Sequence, residues 1–251
     1  MRAYWTLLRR ELSGYFFSMT GYIIIASALF LIGFSFVDLI RQLQNDSTPM
    51  PISELFYMTW FFWLILILTT PVITMRLFAL EKFSGTFETL MTTPVSDRQV
   101  VLAKFSAALV FYGVMWLPLL GCMLLVRFYT NEPSAFDPGV IGSTFFGILL
   151  LGGLFLSLGC CASALSRSQV TAAMISLVLS AALFFVSVLA DQLPSPTGAW
   201  QSQVLASFAL FQQMHDCARG VVDTRMIVFC VSATLLFLFV TLRIVESRRW
   251  R

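Results

Sequence analysis

The chain has 251 residues, 58% of them hydrophobic and 12% charged, with a formal net charge of +3 at pH 7. Soluble domains carry about 25% charged residues, so this composition cannot coat a water-facing surface. Basic residues scattered among apolar flanks exclude a nucleic-acid binder, and long apolar runs in place of roughly ten-residue alternating segments exclude a membrane β-barrel.

Residues 1–20 come first and are too polar to span. On a helix, Arg2, Thr6, Arg9, Arg10 and Ser13 share one arc, and Tyr4, Trp5, Leu8, Leu12, Tyr15, Phe16 and Met19 share the opposite one. The pattern predicts an interfacial amphipathic helix, serving as a plain anchor or as an elbow that lies flat before the first span. Six apolar runs follow: Gly21–Leu39, Tyr57–Met75, Phe105–Val126, Val140–Ala164, Val170–Ala190 and Met226–Val245. Each approaches the roughly 20 residues that cross a bilayer, and the interiors of the runs hold no Asp, Glu, Lys, Arg or His, Asp38 and Arg243 standing at run ends. The expected fold class is an all-α polytopic membrane protein with six transmembrane helices.

Pro71, near the end of the second span, removes a backbone donor and predicts a kink, either a bending point or a static one. Residues 76–104 form the one large inner loop. Phe83, Phe87, Leu90 and Met91 recur at i, i+4, i+7 and i+8 and predict a short helix with one apolar stripe, closed by Pro94. That stripe suits a groove on a partner, and it suits a lipid surface equally. Ser96-Asp-Arg-Gln99 reads as a capping box that starts a second helix running through Lys104 into the third span. Asp137-Pro138 reads as the start of the fourth. Inside that span Gly152, Gly159 and Ser166 repeat at seven residues, and Gly153, Ser157 and Cys161 at four, which predicts close helix packing. In the long outer segment 191–225, Trp200, Val204, Phe208 and Phe211 fall on one helical face. This predicts a helix in or dipping into the outer interface, either a gate or a surface element.

Arg2, Arg9, Arg10, Arg76, Lys82, Arg98, Lys104, Arg167, Arg243, Arg248, Arg249 and Arg251 fall on one side, and Arg41, Arg127, Arg219 and Arg225 on the other. The positive-inside rule therefore predicts that both termini are cytoplasmic. Ala26-Ser-Ala28 resembles a cleavage site, but the apolar run continues past it, so a retained anchor is expected. Cys122, Cys160, Cys161 and Cys230 fall within spans, and Cys217 is expected to face the outside alone. Cysteine and histidine spacing predicts no metal site. His215 reads as a solvated loop residue.

Pro71-Val-Ile-Thr-Met-Arg76, Glu81, Gly85-Thr86, Glu88, Leu90, Thr93-Pro94-Val95-Ser96 and Lys104, together with Ala218-Arg-Gly-Val-Val-Asp-Thr-Arg225 and Glu246-Ser-Arg-Arg-Trp250, resemble the signature of ABC-2 type transporter permeases. The likeness is greatest to the gliding-motility-type subgroup. Leu80 stands where that subgroup often has a second acid, and Ala103 where a glycine often precedes the lysine. The resemblance implies one transmembrane domain over residues 1–251, with an elbow at 1–20, a coupling loop at 76–104 and outer re-entrant helices near 192–225. It implies that Glu81, Lys82, Phe83, Gly85, Thr86, Phe87, Glu88, Leu90, Met91 and Pro94 couple to a separate ABC ATPase, which holds the ATP and magnesium. Trp200, Val204, Phe208 and Phe211 become candidates for an outer gate.

The two lysines, Lys82 and Lys104, stand in no G-x-x-x-x-G-K-[ST] loop, so no catalytic residue and no cofactor is expected in this chain. A plasma-membrane setting, the bacterial inner membrane, is expected. The expected partners are the ATPase, a second copy or a related permease, and the lipid bilayer. By family analogy a membrane-anchored auxiliary protein with an outer domain is compatible. An ATP-independent secondary transporter or channel is the alternative, but such proteins usually keep ionisable residues within spans. An intramembrane enzyme would need a catalytic pair that the spans lack. A force transmitter that moves no substrate through its core stays open.

Overall fold

A computed structural model of the chain describes residues 2–45, 60–85, 96–130, 138–192 and 208–249. Every regular element among them is a helix: α1 (Arg2–Phe16), α2 (Met19–Asn45), α3 (Trp60–Thr74), α4 (Ala79–Phe83), α5 (Asp97–Thr130), α6 (Pro138–Leu165), α7 (Gln169–Gln192), α8 (Leu210–Ala218) and α9 (Thr224–Arg249). Six stretches are long and apolar enough to cross a bilayer, namely Met19–Asp38, Phe61–Phe83, Asp97–Leu125, Pro138–Leu165, Gln169–Asp191 and Thr224–Ser247. They fall on the six apolar runs. α1, the turn around α4, the start of α5 and the end of α6 gather at one end of the bundle, the proximal end. α8 lies at the other, distal end.

α6 carries the core. It touches α3, α5, α7, α8 and α9, and 78% of its most apolar stretch is buried against 17% for α9, so α6 is central and α9 peripheral. Lipid tails are as apolar as leucine, so helices in a bilayer associate through close packing and hydroxyl bonds, with no hydrophobic drive between them. The expected heptad stripe serves that need. A methyl group at Gly152 would overlap the Tyr112 ring, and one at Gly159 would overlap the Thr74 side chain. Gly153, on the other stripe, would make only ordinary contacts with Leu109 and Phe105. Valine, leucine and phenylalanine side chains on the far faces of α7 and α9, such as Val178, Phe185, Leu235 and Phe239, are exposed, as lipid-facing groups should be.

α3 holds Pro71 and ends three residues later, at Thr74. Thr69, Thr70 and Thr74 donate their hydroxyls back to the carbonyls of Ile65, Leu66 and Thr70 at 2.7–2.8 Å. Those bonds satisfy the three buried hydroxyls within the apolar span. α5 begins as expected after Ser96, whose carbonyl accepts the Gln99 and Val100 amides at 2.9 and 3.2 Å. It runs without interruption through Lys104 into the span. α6 begins at Pro138, as expected.

The N-terminal helix departs from the expected orientation in part. Leu8 and Tyr15 are buried, with Tyr4, Leu7, Leu12 and Phe16 packed beside them, and α1 lies along α5. Its apolar stripe therefore meets protein. Trp5 and Met19, expected on that stripe, are exposed. Met19 already belongs to α2, beyond a corner at Ser18, so helical spacing from α1 does not carry to it. Ser18 caps α2 by accepting the Gly21 amide at 3.1 Å. Any side chain at Gly21 would collide with the backbone carbonyl of Tyr15, so the corner can be this tight only with glycine.

Candidate functional site

The proximal end is built around the turn that follows α3. Phe78 occupies the N-cap position of α4 and offers no side-chain acceptor. The hydroxyl of Ser163, from α6, takes that role and accepts the Phe78 and Ala79 amides, each at 3.1 Å. Phe78 itself is fully buried. α4 then stops at Phe83, and Gly85 adopts φ +72°. Glycine tolerates that left-handed geometry and commonly ends helices with it. The expected helix through Phe87 lies outside the described residues beyond Gly85. Phe83 ends a shorter helix that starts at Ala79, and it is exposed.

Four charged side chains interlock above this turn. The Lys104 ammonium, 3% exposed, lies 3.1 Å from Glu11 Oε1 and 2.8 Å from Glu81 Oε1. Arg10 Nη2 reaches the same two oxygens at 2.9 and 3.1 Å. Two carboxylates, one from α1 and one from α4, therefore sit between a cation of α1 and a cation of α5. Hydrogen bonding to Glu11, with further attraction from Glu81, raises the Arg10 pKa against its partial burial. Lys104 also approaches the Phe78 ring, 5.6 Å from its centroid. The neighbouring Lys82 donates to the Ala164 carbonyl, in the last turn of α6, where a cation is favoured by the helix dipole.

α1 is fastened to the same place by neutral groups. Tyr15 donates its hydroxyl to the Ile73 carbonyl at 2.9 Å and stacks on Phe111 with centroids 4.9 Å apart. Burial holds the Tyr15 phenol well above its ordinary pKa, so it stays a donor. Tyr4 donates to Ser106 Oγ at 2.9 Å. Arg76 donates to the hydroxyls of Ser18, at 3.3 Å, and Thr20. The elements α1, α3, α4, α5 and α6 thus meet at one junction. It offers ion pairs and hydrogen bonds between elements, which suits the transfer of a displacement from one helix to several.

At the distal end the short helix α8 packs into the bundle. The Phe211 amide donates to Ser187 Oγ of α7 at 3.2 Å, and Ser143 of α6 donates to the Cys217 carbonyl at 2.8 Å. Phe211 stacks on Trp63 at 5.9 Å, and Trp63 meets Phe184 at 5.3 Å. Phe208 lies before the helix, in a turn, and packs on Phe229 of α9 at 5.0 Å. The expected single face holding Phe208 and Phe211 is therefore split between two partners. The end of α8 is a Schellman turn: Gly220, at φ +91°, bonds back to Cys217 at 3.1 Å and Val221 bonds to Asp216 at 2.9 Å.

Two expectations need correction here. Cys217 does not face the outside; it is fully buried against α6 and Met226. Burial, with the charges of Asp216 and Asp223, pushes its thiol up to about 11. His215 is a half-buried residue of α8 and no loop residue.

Of the expected coupling residues, Glu81, Lys82, Phe83 and Gly85 are placed at the proximal junction. Thr86, Phe87, Glu88, Leu90, Met91 and Pro94 lie outside the described residues, as do Trp200 and Val204 of the expected outer group. Arg10, Glu11, Tyr15 and Ser163 are at the junction without having been singled out for it. Glu11 had a signal: it is the only acid before Asp38, and it follows two arginines on the border of an amphipathic stripe. Ser163, one small residue among many in an apolar run, had none.

A bundle with six helices long and apolar enough to span a bilayer, with no strand among its described residues, defines a polytopic helical membrane protein. The family model described as ABC-2 family transporter protein matches residues 16–216, and the chain belongs to that family. Its members are the membrane permease components of ABC transporters and work with an ABC ATPase subunit, without being the ATPase themselves. A comparison with curated proteins returns no match.

Proposed function

We propose that the chain is the permease subunit of an ABC-2 type exporter, moved by a separate ATPase through the segment 81–94. The observation that carries this reading is the seat of Glu81. The carboxylate at the root of that segment is bonded to buried Lys104 and to Arg10, at the junction of α1, α4 and α5. A push on the segment would reach the elbow helix and the third span through ion pairs, and the fourth span through Ser163 and Ala164. Transport by this route needs two arrangements of the bundle that the ATPase biases differently.

In this reading ATP and magnesium sit on the ATPase. Two permeases, either two copies of this chain or this chain and a relative, pair with two ATPases in a bacterial inner membrane, with both termini in the cytoplasm. Trp200, Val204, Phe208 and Phe211 are assigned to the outer gate. The gliding-motility-type subgroup fits best, and with it mechanical work on a membrane-anchored auxiliary protein as one outcome of the cycle.

The test is co-purification of the chain with a Walker-type ATPase in mild detergent. Phe87→Asp should abolish capture of the ATPase and stop ATP-dependent export, while the variant chain still folds. An unchanged complex with unchanged traffic would end the proposal.

A further inference from the structure

Two recesses share a floor at Gly14. One, of about 100 Å³, is lined by Glu11, Gly14, Tyr15, Arg76, Leu77 and Leu80. The other, of about 300 Å³, is lined by Arg10, Ser13, Gly14, Phe17 and Ser18. We propose that this double recess binds the phosphate of an anionic phospholipid, whose chains lie along the apolar side chains beside it.

Charge supports the choice. Arg10, Lys104 and Arg76 face Glu11 and Glu81 at this junction, which leaves one positive charge in excess. The two carboxylates are engaged by Arg10 and Lys104. Arg76 meets no carboxylate among the described residues and is held by the hydroxyls of Ser18 and Thr20. A half-buried guanidinium held in place by neutral acceptors is a ready donor to a phosphate oxygen. The recesses also exceed the roughly 30 Å³ that one liquid water fills, so a phosphate-sized group fits.

The surroundings favour a lipid over a free anion. Phe17, at the rim, is 85% exposed, and Met19 and Tyr22, at the start of the first span, are 83% and 62% exposed. These side chains belong in hydrocarbon, and Tyr22 suits the interface level at which headgroups sit. The floor is open as well: a methyl group at Gly14 would meet nothing within 4 Å. A larger side chain there fills the recess and leaves the helix contacts alone. The proposal needs only a membrane location and stands apart from the coupling mechanism.

The experiment titrates the purified full chain in detergent with phosphatidylglycerol, phosphatidylcholine and inorganic phosphate. Bound lipid is counted by native mass spectrometry, and the thermal midpoint is followed in parallel. Phosphatidylglycerol should bind and stabilise, and phosphatidylcholine should do so weakly. Arg76→Gln should weaken phosphatidylglycerol about fivefold or more, the worth of one basic residue near an anionic headgroup. Arg76→Lys should recover part of the loss. Gly14→Leu, which leaves every charge in place, should block binding while the midpoint in phosphatidylcholine holds. Equal binding of the two lipids, or full phosphatidylglycerol binding by both Arg76→Gln and Gly14→Leu, overturns the proposal. A stabilisation reproduced in full by inorganic phosphate overturns it too, since the site would then belong to a free anion.

Discussion

Lys104 is an expensive residue to bury, and its two carboxylate neighbours make the burial tolerable. Removing one partner of such a set leaves an uncompensated charge, which typically costs about 3–5 kcal/mol. Lys104→Met should therefore lower stability by about that amount, because Glu11 and Glu81 then face each other with only Arg10, itself half exposed, between them. Adding Glu11→Gln and Glu81→Gln to that variant should restore most of the loss. Thermal unfolding of the three proteins in detergent decides it, and a Lys104→Met chain that melts like the parent would show that the cluster contributes nothing. Sequence alone made Glu81 and Lys104 visible, through the family signature. It could not pair them with Arg10 and Glu11, because those residues are brought in by the packing of α1, about 70 to 90 residues away in the chain.

At the scale of elements, the corner between α1 and α2 shows what a periodic pattern can and cannot convey. The amphipathic stripe of α1 was plain, and the exposed arc of Thr6, Arg9, Arg10 and Ser13 is where the pattern put it. The stripe could not say whether lipid or protein would cover it. Nor did it place the bend: an elbow over residues 1–20 was one of two readings, and the corner falls earlier, after Phe16, with Met19 already in α2. Gly21→Ala should open the corner, because the methyl group would strike the Tyr15 carbonyl and backbone cannot step aside cheaply. The expected sign is the opposite of the gain that alanine gives in an unconstrained helix, about 0.5–1 kcal/mol. A lower thermal midpoint together with looser attachment of α1, read as faster proteolysis near Arg9 and Arg10, is the expected outcome. A midpoint equal to or above the parent's would refute the tight corner. A similar limit applies beside the coupling stripe: spacing gave no sign of the short helix Ala79–Phe83 or of the left-handed residue at Gly85 that follows it. A glycine marks where such a turn is affordable, and the spacing of apolar residues is blind to it.

The molecule as a whole hangs on α6. Its proximal end receives α4 through Ser163 and Lys82, its middle receives α5 and α3 at Gly152 and Gly159, and its distal end receives α8 at Ser143 and Gly147. Two glycines of this helix should therefore respond with opposite signs. At Gly142 nothing lies within 4 Å, so alanine should be neutral or stabilising. At Gly152 the added methyl group enters the buried Tyr112 ring, and overpacking of this kind costs about 1–3 kcal/mol. Thermal midpoints of the two single variants measure the contrast, and equal effects would mean that α6 is not the central packing surface. Six spans and their order were legible because insertion into a bilayer writes itself into composition. The central rank of α6 was legible only as a hint, in its glycines. The seating of α8 was not legible, because aromatic residues at helical spacing fit a surface helix as well as a buried one.

The corner at Gly21 has a consequence of its own. It is one main chain resting on another, so its angle is fixed by excluded volume, whereas the half-exposed Arg10 is tied by electrostatics that mobile ions screen over about 8 Å at physiological strength. When a cell concentrates its electrolyte under osmotic stress, the tether at Arg10 slackens and the posture of the first helix persists.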